Sequence, residues 1–496
     1  MSVLTSIFLY VVLGVYLIAL TLIVIYGVGQ FHLVYTYWRL DKKHKPLPPL
    51  DGQEGVPKVT IQLPIYNEKY VVDRLLEAVA AMDYPKDSFE IQVLDDSTDE
   101  TVGMIAAKVE EIAGRGIAIH HIRRPDRVGF KAGALEYGLA SATGEFIAIF
   151  DADFVPQPSF IRAILPYFAH EEVGVVQARW QHINQDYSLF TEVQAFHLDA
   201  HFTVEQRSRD LGGFYMNFNG TAGIWRKACI QDAGGWEHDT LTEDLDLSYR
   251  AQLKGWKFRY VDNVEAPAEL PAEMGGIKSQ QYRWMKGGAE VARKILRTLW
   301  QSDISLGRKL HGSMHLLSSS VFILVLLLGA TSVPLVYIKH ELLNGKVDFL
   351  LVPVGFLLLS FVVLCCLYIL TFIHREGSVY KGIKRFALNF VPFLAFSMGL
   401  SLHNSIAVLQ GFWGKRTPFI RTPKYALSQK QDSWRKRTYL SKSIKPTVFL
   451  ELLMALYFCF GVYLAIHFQD ISIIPFLLMQ AGGYTMIGIN SFRHAV

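Results

Sequence analysis

FIAIFDAD, Phe146 to Asp153, sets a short apolar run directly before two acids spaced i, i+2. Such a run fits a strand buried on both faces of a sheet. In extended chain the carboxylates of Asp151 and Asp153 point the same way, and two of them at a strand end can hold Mg²⁺ or Mn²⁺. Alone, Asp-x-Asp more often marks a turn or a helix cap, so the surroundings carry the weight. VTIQL (59–63), EIQVLDD (90–96) and IAIHHI (117–122) alternate with helical stretches such as Val71 to Met82. This alternation, over about 57 to 275, implies an α/β domain with a largely parallel sheet and ligand sites at strand C-terminal ends. Asn67, Glu68, Asp95 and Asp96 occupy such ends, although each could equally cap a nearby helix.

Outside this domain the texture becomes apolar. Mean hydropathy of +0.22 with 19% charged residues is unusual for a soluble chain of 496 residues and implies a multi-pass membrane protein. Residues 5 to 27 carry no charge and are long enough to span a bilayer; with no basic segment before them, they do not read as a cleaved signal peptide. Arg39 to Lys45 carries four basic residues against one acid, which marks the cytosolic side. Apolar stretches recur at 315–338, 348–373, 386–411, 447–467 and 471–489. If all crossed, the loop 412–446, with ten Lys or Arg against Asp432 alone, would leave the cytosol. We therefore read 386–411, with Pro392, His403 and Asn404, as an interfacial segment. Five spans remain, with the loop around Leu343 outside. The expected division is 1–45 (first span and basic flank), 46–275 (cytosolic α/β domain), 276–311 (interfacial helix), 312–374 (hairpin), 375–446 (interfacial segment and basic loop) and 447–496 (final hairpin).

A net charge of +4 gives no case for nucleic acid. The four cysteines, Cys229, Cys365, Cys366 and Cys459, lack metal-ligand spacing and read as reduced packing residues. QQYRW, Gln280 to Trp284, falls where the polar domain meets the apolar train. On a helix, Gln280, Arg283 and Trp284 share a face, offering a guanidinium that suits a diphosphate and an indole that suits a sugar. Headgroup anchoring would also explain the pair. In LTEDLDL, Thr242 can cap a helix whose first turn holds Glu243 and Asp244. Glycines in FNGTAGIWR, Phe218 to Arg226, let backbone approach a ligand closely.

Taken in order, these motifs resemble the membrane-integrated family 2 glycosyltransferases, which include cellulose, mannan, chitin and hyaluronan synthases. The resemblance implies a GT-A (Rossmann-like) catalytic domain in the cytosol, joined to transmembrane and interfacial helices in a plasma, bacterial inner or Golgi-type membrane. It places the nucleotide against IQLPIYNE (Pro64, Asn67, Glu68), Asp96 and Lys131. It also assigns the metal to Asp151 and Asp153, the general base to Asp244, and the acceptor site to Phe218, Asn219, Gly220, Thr221, Glu243 and Trp284. Gln280 and Arg283 would meet the donor diphosphate. FIRTPK, Phe419 to Lys424, is similar to the FxVTxK gating loop of cellulose synthases, which brings Thr422 and Lys424 to the phosphates; Arg421 stands where that pattern has Val. FNGTAGIWR, GGW (234–236) and ELP (269–271) look most like cellulose-synthase-like mannan and glucan synthases. The expected activity is processive, inverting synthesis and export of a β-1,4-mannan, glucomannan or glucan from GDP-mannose or UDP-glucose onto a growing polysaccharide, in contact with membrane lipid. Glycolipid synthesis of the ceramide glucosyltransferase kind, or chitin or hyaluronan synthesis, is the alternative. No cyclic-di-GMP-binding domain is expected, since only SFRHAV follows the last span.

Overall fold

A computed structural model describes residues 3–41, 46–49, 55–342, 351–427, 431–436 and 445–495. The basic flank beyond Asp41 and the loop around Leu343 lie outside the described residues. Seven strands form one sheet: β1 (Val59–Ile65), β2 (Phe89–Asp95), β3 (Ile119–Ile122), β4 (Phe146–Ile149), β5 (Val173–His182), β6 (Gly223–Arg226) and β7 (Lys257–Ala268). Their order is β3-β2-β1-β4-β6-β5-β7. All pairs are parallel except those of β6, which runs antiparallel to both β4 and β5. Helix crossovers between the first strands follow from the apolar period of the chain. The helix Val72–Ala80, for example, puts Val72, Leu75, Leu76 and Val79 on one buried face, each contributing about 1.5–3 kcal/mol by leaving water.

The residues Phe146 to Phe150 are buried as expected, but the strand stops at Ile149. The peptide N–H of Phe154 donates to the Asp151 carbonyl at 3.0 Å, so DAD is a turn and the extended-chain picture of its two acids is corrected. Curling lets Asp151 and Asp153 take partners on opposite sides of one cavity.

Five described helices are long and apolar enough to cross a membrane: Thr5–Leu40, Ser318–Glu341, Gly355–Glu376, Thr447–His467 and Ile471–His494. A sixth candidate is the pair Val379–Gly399 and Ser401–Phe412, bent by 50° at Leu400. At the bend, Gly399 packs so tightly on Gly483 that a Cβ would lie 2.3 Å from the Gly483 carbonyl oxygen. Both flanks of this pair touch the α/β domain. On one side Arg375 meets Glu265 at 2.8 Å and His374 meets Asp262 at 3.1 Å; on the other Lys424 meets Asp153 at 2.7 Å. Asp41 on Arg207 and His494 on the Met274 amide bring two further helix ends to the same domain. Asp470 and Lys339 meet each other instead, at 2.8 Å.

The helix Met274–Gln301 carries QQYRW. Its apolar stripe, expected at the membrane surface, includes Val291, Ala292, Ile295 and Leu299 and packs on Tyr215 and Tyr249 of the α/β domain. A buried pair, Lys278 with both oxygens of Glu451 at 2.7 Å, ties this helix to Thr447–His467; removing one partner would strand a charge. All four cysteines are free.

Candidate active site

The C-terminal ends of β1, β2 and β4 open on a cavity that is closed from the far side by the QQYRW helix and by the segment Phe419–Lys424. Pro64, Glu68, Asp96, Lys131, Asp151, Asp153, Asn219, Gly220, Glu243, Asp244, Gln280, Arg283, Trp284, Thr422 and Lys424 all line it. Residues spread over 360 positions of sequence therefore converge, as the motifs required.

At the β1 and β2 ends, Asp96 is gripped by Arg124 through Nε (2.7 Å) and Nη2 (2.5 Å). Arg127 lies 3.3 Å above the Tyr66 ring. Asp95 turns away, buried against His121 (2.8 Å) and the Ser97 amide (2.8 Å). Capping is not what these acids do, since the helices Val72–Ala80 and Thr101–Gly114 begin without a side-chain cap. Asn67, expected at the nucleotide, is outside the lining. With φ at +54°, its Oδ1 accepts from the Thr98 amide at 2.8 Å and staples the β1 end to the β2 turn.

The two DAD acids each hold an ammonium group. Lys131 Nζ is 2.5 Å from Asp151 Oδ1 and donates to the Gly220 carbonyl at 2.9 Å. Lys424 Nζ is 2.7 Å from Asp153 Oδ2 and donates to the Glu269 carbonyl at 2.9 Å. Burial alone would depress both lysines, but the surrounding acids together outweigh it and hold each above the usual range: Asp151, Glu243 and Asp244 for Lys131, and Asp153, Glu269 and Glu68 for Lys424. These strand-end carboxylates thus sit in a place built for positive charge, and hard oxygen donors suit Mg²⁺ or Mn²⁺. A second gathering of acids, Glu237, Asp239 and Asp246, is already neutralised by Lys294, whose Nζ lies 2.6, 2.8 and 3.0 Å from them.

Opposite stands the helix Glu243–Leu253, which starts without a side-chain cap from Thr242. Both Glu243 and Asp244 have raised pKa values, chiefly because burial disfavours their charge; for Asp244 the neighbouring Glu243 adds to the rise, while Lys131 opposes it. Gly220 faces Asp244. A Cβ there would sit 3.0 Å from Asp244 Oδ2 and 3.5 Å from Lys131 Nζ, and its φ of +79° belongs to the left-handed region. Two residues expected at the acceptor prove to be supports. Phe218 is fully buried and packs edge-on to Trp225; Thr221 is buried too, with its Oγ1 accepting from the Asp151 amide at 2.9 Å.

Arg283 joins helix and loop: its Nη2 donates to Thr422 Oγ1 at 2.8 Å and its Nη1 to the Ile420 carbonyl. Burial lowers its pKa to about 10, with Asp151 and Glu243 resisting, so it stays cationic at neutral pH. Arg421, the departure from the gating pattern, reaches Glu68 Oε1 at 3.0 Å. Burial pushes the Glu68 carboxyl up to about 8 despite that guanidinium. Trp284 lines the cavity and packs on the domain core. Sequence reasoning passed over Tyr66, Arg127, Trp180 and His182, which also line it; the RWQH end of β5 was the available signal for the last two.

Comparison with known proteins agrees with this geometry. A family model described as "Glycosyltransferase like family 2" matches residues 57–287. Probable glucomannan 4-beta-mannosyltransferase 7 of Oryza sativa subsp. japonica is 42% identical over 283 residues, covering 55% of this chain and 48% of that protein. Glucomannan 4-beta-mannosyltransferase 2 of Arabidopsis thaliana is 42% identical over 274 residues, covering 53% and 51%; the match thus spans about half the length of these two relatives. Probable glucomannan 4-beta-mannosyltransferase 2 of Oryza sativa subsp. japonica is 32% identical over 456 residues, covering 88% of this chain and 74% of that protein. Among solved structures, a mannosyltransferase from Pyrobaculum calidifontis in complex with GDP-Man and Mn²⁺ shares the fold, with a TM-score of 0.54 at 19% identity over 80% of this chain and 100% of that one. The sheet and the site within it thus define the class as a GT-A glycosyltransferase. More narrowly, the chain belongs to the cellulose-synthase-like family 2 glycosyltransferases.

Proposed function

We propose that the chain transfers mannose from GDP-mannose, with inversion, to the end of a β-1,4-mannan or glucomannan. One observation carries this reading. A half-buried carboxylate, Asp244, faces the same cavity as two strand-end acids and two cations, Arg283 and Lys424, which is the constellation that glycosyl transfer from a nucleoside diphosphate needs. In the reaction, an acceptor hydroxyl attacks the anomeric carbon of the donor and passes its proton to Asp244. The bond from that carbon to the diphosphate breaks as the new glycosidic bond forms, and the electron pair leaves with the diphosphate. Arg283 offers two N–H groups to the phosphate oxygens, while Lys424 releases Asp153 and follows the charge. Asp151 and Asp153 would hold Mg²⁺ or Mn²⁺, which supplies neutralisation of the leaving diphosphate. Trp284 and Trp180 provide apolar faces for the acceptor sugars, and Asp96 with Arg127 and Tyr66 flank the base.

The bent pair 379–412 is best read as dipping into the membrane and returning, because both of its flanks bind the α/β domain. This gives five crossings with the catalytic domain in the cytosol, and the segment Phe419–Lys424 becomes a gate over a growing chain that leaves between the spans. GDP-mannose leads over UDP-glucose because the matched relatives are named for mannosyl transfer. The purified protein, offered labelled GDP-mannose, UDP-glucose and UDP-GlcNAc separately, should make a β-mannanase-sensitive polymer from GDP-mannose. Polymer from UDP-GlcNAc alone, or a single-sugar lipid, would overturn the reading.

A further inference from the structure

Between β5 and β6 the chain runs through the helix Leu189–Ala200 into a π-helical stretch, His201–Gln206. Wide turns of this kind re-aim side chains and occur often at functional sites. Here two of its residues reach the loop that floors the cavity. Gln206 Nε2 donates to the Asn217 carbonyl at 3.0 Å, and His201 Nε2 lies 3.3 Å from Asn219 Oδ1. The other ring nitrogen, His201 Nδ1, is 3.0 Å from Glu205 Oε2. Asn219 is held again through its backbone amide, which donates to Gln177 Oε1 at 2.9 Å, and through its Oδ1, which accepts from Asn217 Nδ2 at 2.8 Å. Its own Nδ2 is buried with no protein partner among the described residues, in a side chain that lines the cavity beside Gly220 and Asp244.

We propose that Glu205 and His201 are positioning residues that fix the Asn219 amide with its NH2 group facing the acceptor sugar, as a hydrogen-bond donor to one of its oxygens. This rests on the reading of the cavity as a glycosyl-transfer site. The argument is one of donors and acceptors. A carboxylate only accepts, so His201 Nδ1 carries a proton; Nε2 can then donate to Asn219 Oδ1 only when the ring is the imidazolium. Burial would raise the Glu205 carboxyl, but the hydrogen bond and charge of His201 hold it down at about 2, so Glu205 is the accepting partner of this pair. A neutral ring would instead accept at Nε2, turning the amide to present its oxygen to the cavity. The groups that face this pair are His197 and Arg209 from the same helical run, Tyr26 from the first helix, Tyr368 from Gly355–Glu376 and His315 from Leu306–Leu316.

The test uses the full-length enzyme with GDP-mannose and a short β-1,4-manno-oligosaccharide as acceptor, measuring KM for each substrate and kcat. Glu205→Gln, whose amide can donate to Nδ1 as readily as accept from it and so no longer fixes which ring nitrogen donates, should raise acceptor KM about tenfold, the loss of one good hydrogen bond, with donor KM and kcat within about twofold. Asn219→Asp cannot donate and should show the same rise, and Glu205→Gln should add nothing in its background. A simple structural role would give additive losses in kcat and yield. Unchanged acceptor KM in either single variant, or additivity in the double, overturns the proposal; if Glu205→Gln fails to fold, His201→Gln takes its place in the same cycle. Failure of wild type to use GDP-mannose would count against the proposed donor alone, and the comparison would then run on whichever nucleotide sugar wild type accepts.

Discussion

Replacing Gly220 by Ala tests the placement of the catalytic base without touching it. The added Cβ would lie 3.0 Å from Asp244 Oδ2, and an ordinary contact of about 3.4 Å requires a retreat of roughly 0.4 Å. Since a misplacement of about 1 Å at a reacting group can cost on the order of a hundredfold in rate, kcat should fall on the order of tenfold. The φ of +79° adds strain of about 1–2 kcal/mol, which should lower the thermal midpoint by a few degrees. Gly223→Ala is the control. Its Cβ would meet the Val176 carbonyl oxygen at 2.7 Å, so it should damage sheet packing and lower the midpoint without a matching selective loss of kcat in the folded fraction. Turnover of purified Gly220→Ala, normalised to GDP binding by calorimetry, is the readout. Wild-type kcat in a folded Gly220→Ala enzyme would refute the assignment, because a base at Asp244 cannot be indifferent to a methyl group pressed against its oxygen.

Other expectations follow from the same geometry. Asp244→Asn should bind GDP normally yet lose about a hundredfold to ten-thousandfold in kcat; and because burial and Glu243 raise the Asp244 pKa, wild-type activity should fall on acidification at a pH well above the ~3.9 of a free Asp, as the base becomes protonated, with a pH–rate profile as the check. EDTA should silence the enzyme and Mn²⁺ or Mg²⁺ restore it, with Asp153→Ala weakening GDP affinity mainly when metal is present; metal-independent wild-type turnover would remove the ion from the scheme. Trp284→Ala should leave donor binding intact and shorten or reduce polymer, whereas full-length product at the wild-type rate would leave Trp284 a packing residue only. Cysteine probes at Lys424 and Arg435 should react from the cytosolic side, and external labelling would mean that residues 379–412 cross.

How far the sequence carried depended on whether a feature was local. FIAIF, VTIQL and EIQVLDD announce themselves because each is apolar, strand-forming and bounded by polar residues, and they became β4, β1 and β2. The other half of the sheet was silent for an equally physical reason. β6 is four residues long and follows directly on the glycine-bearing stretch FNGTA, while β7 alternates charged and apolar residues over twelve positions, and β5 breaks its apolar run at Gln177, Arg179 and Gln181. Buried polar groups in that half are paired by distant partners: Arg179 is almost fully buried, and pays for it with Asp199 at 3.0 Å and Asp262 at 2.6 Å. The DAD motif shows the same limit on a smaller scale. Spacing named both acids, but only the turn after Ile149 decides that Asp151 faces Lys131 and Asp153 faces Lys424, and a lysine 271 residues away cannot be seen from either.

That long-range pair also settles how Arg421 should be regarded. It stands where the gating pattern has Val. In the fold it adds a contact, to Glu68, within the same short segment in which Thr422 binds Arg283 and Lys424 binds Asp153. Each of these partners is a group that donor phosphates or a divalent cation would engage, so the segment occupies the donor side by borrowing the donor's own charges. Donor phosphates or a cation entering the cavity would therefore compete with the Lys424–Asp153 pair and with the hydrogen bond from Arg283 to Thr422. A valine at 421 would leave Glu68 without its guanidinium, while the segment would keep the contacts of Ile420 and Thr422 with Arg283 and of Lys424 with Asp153.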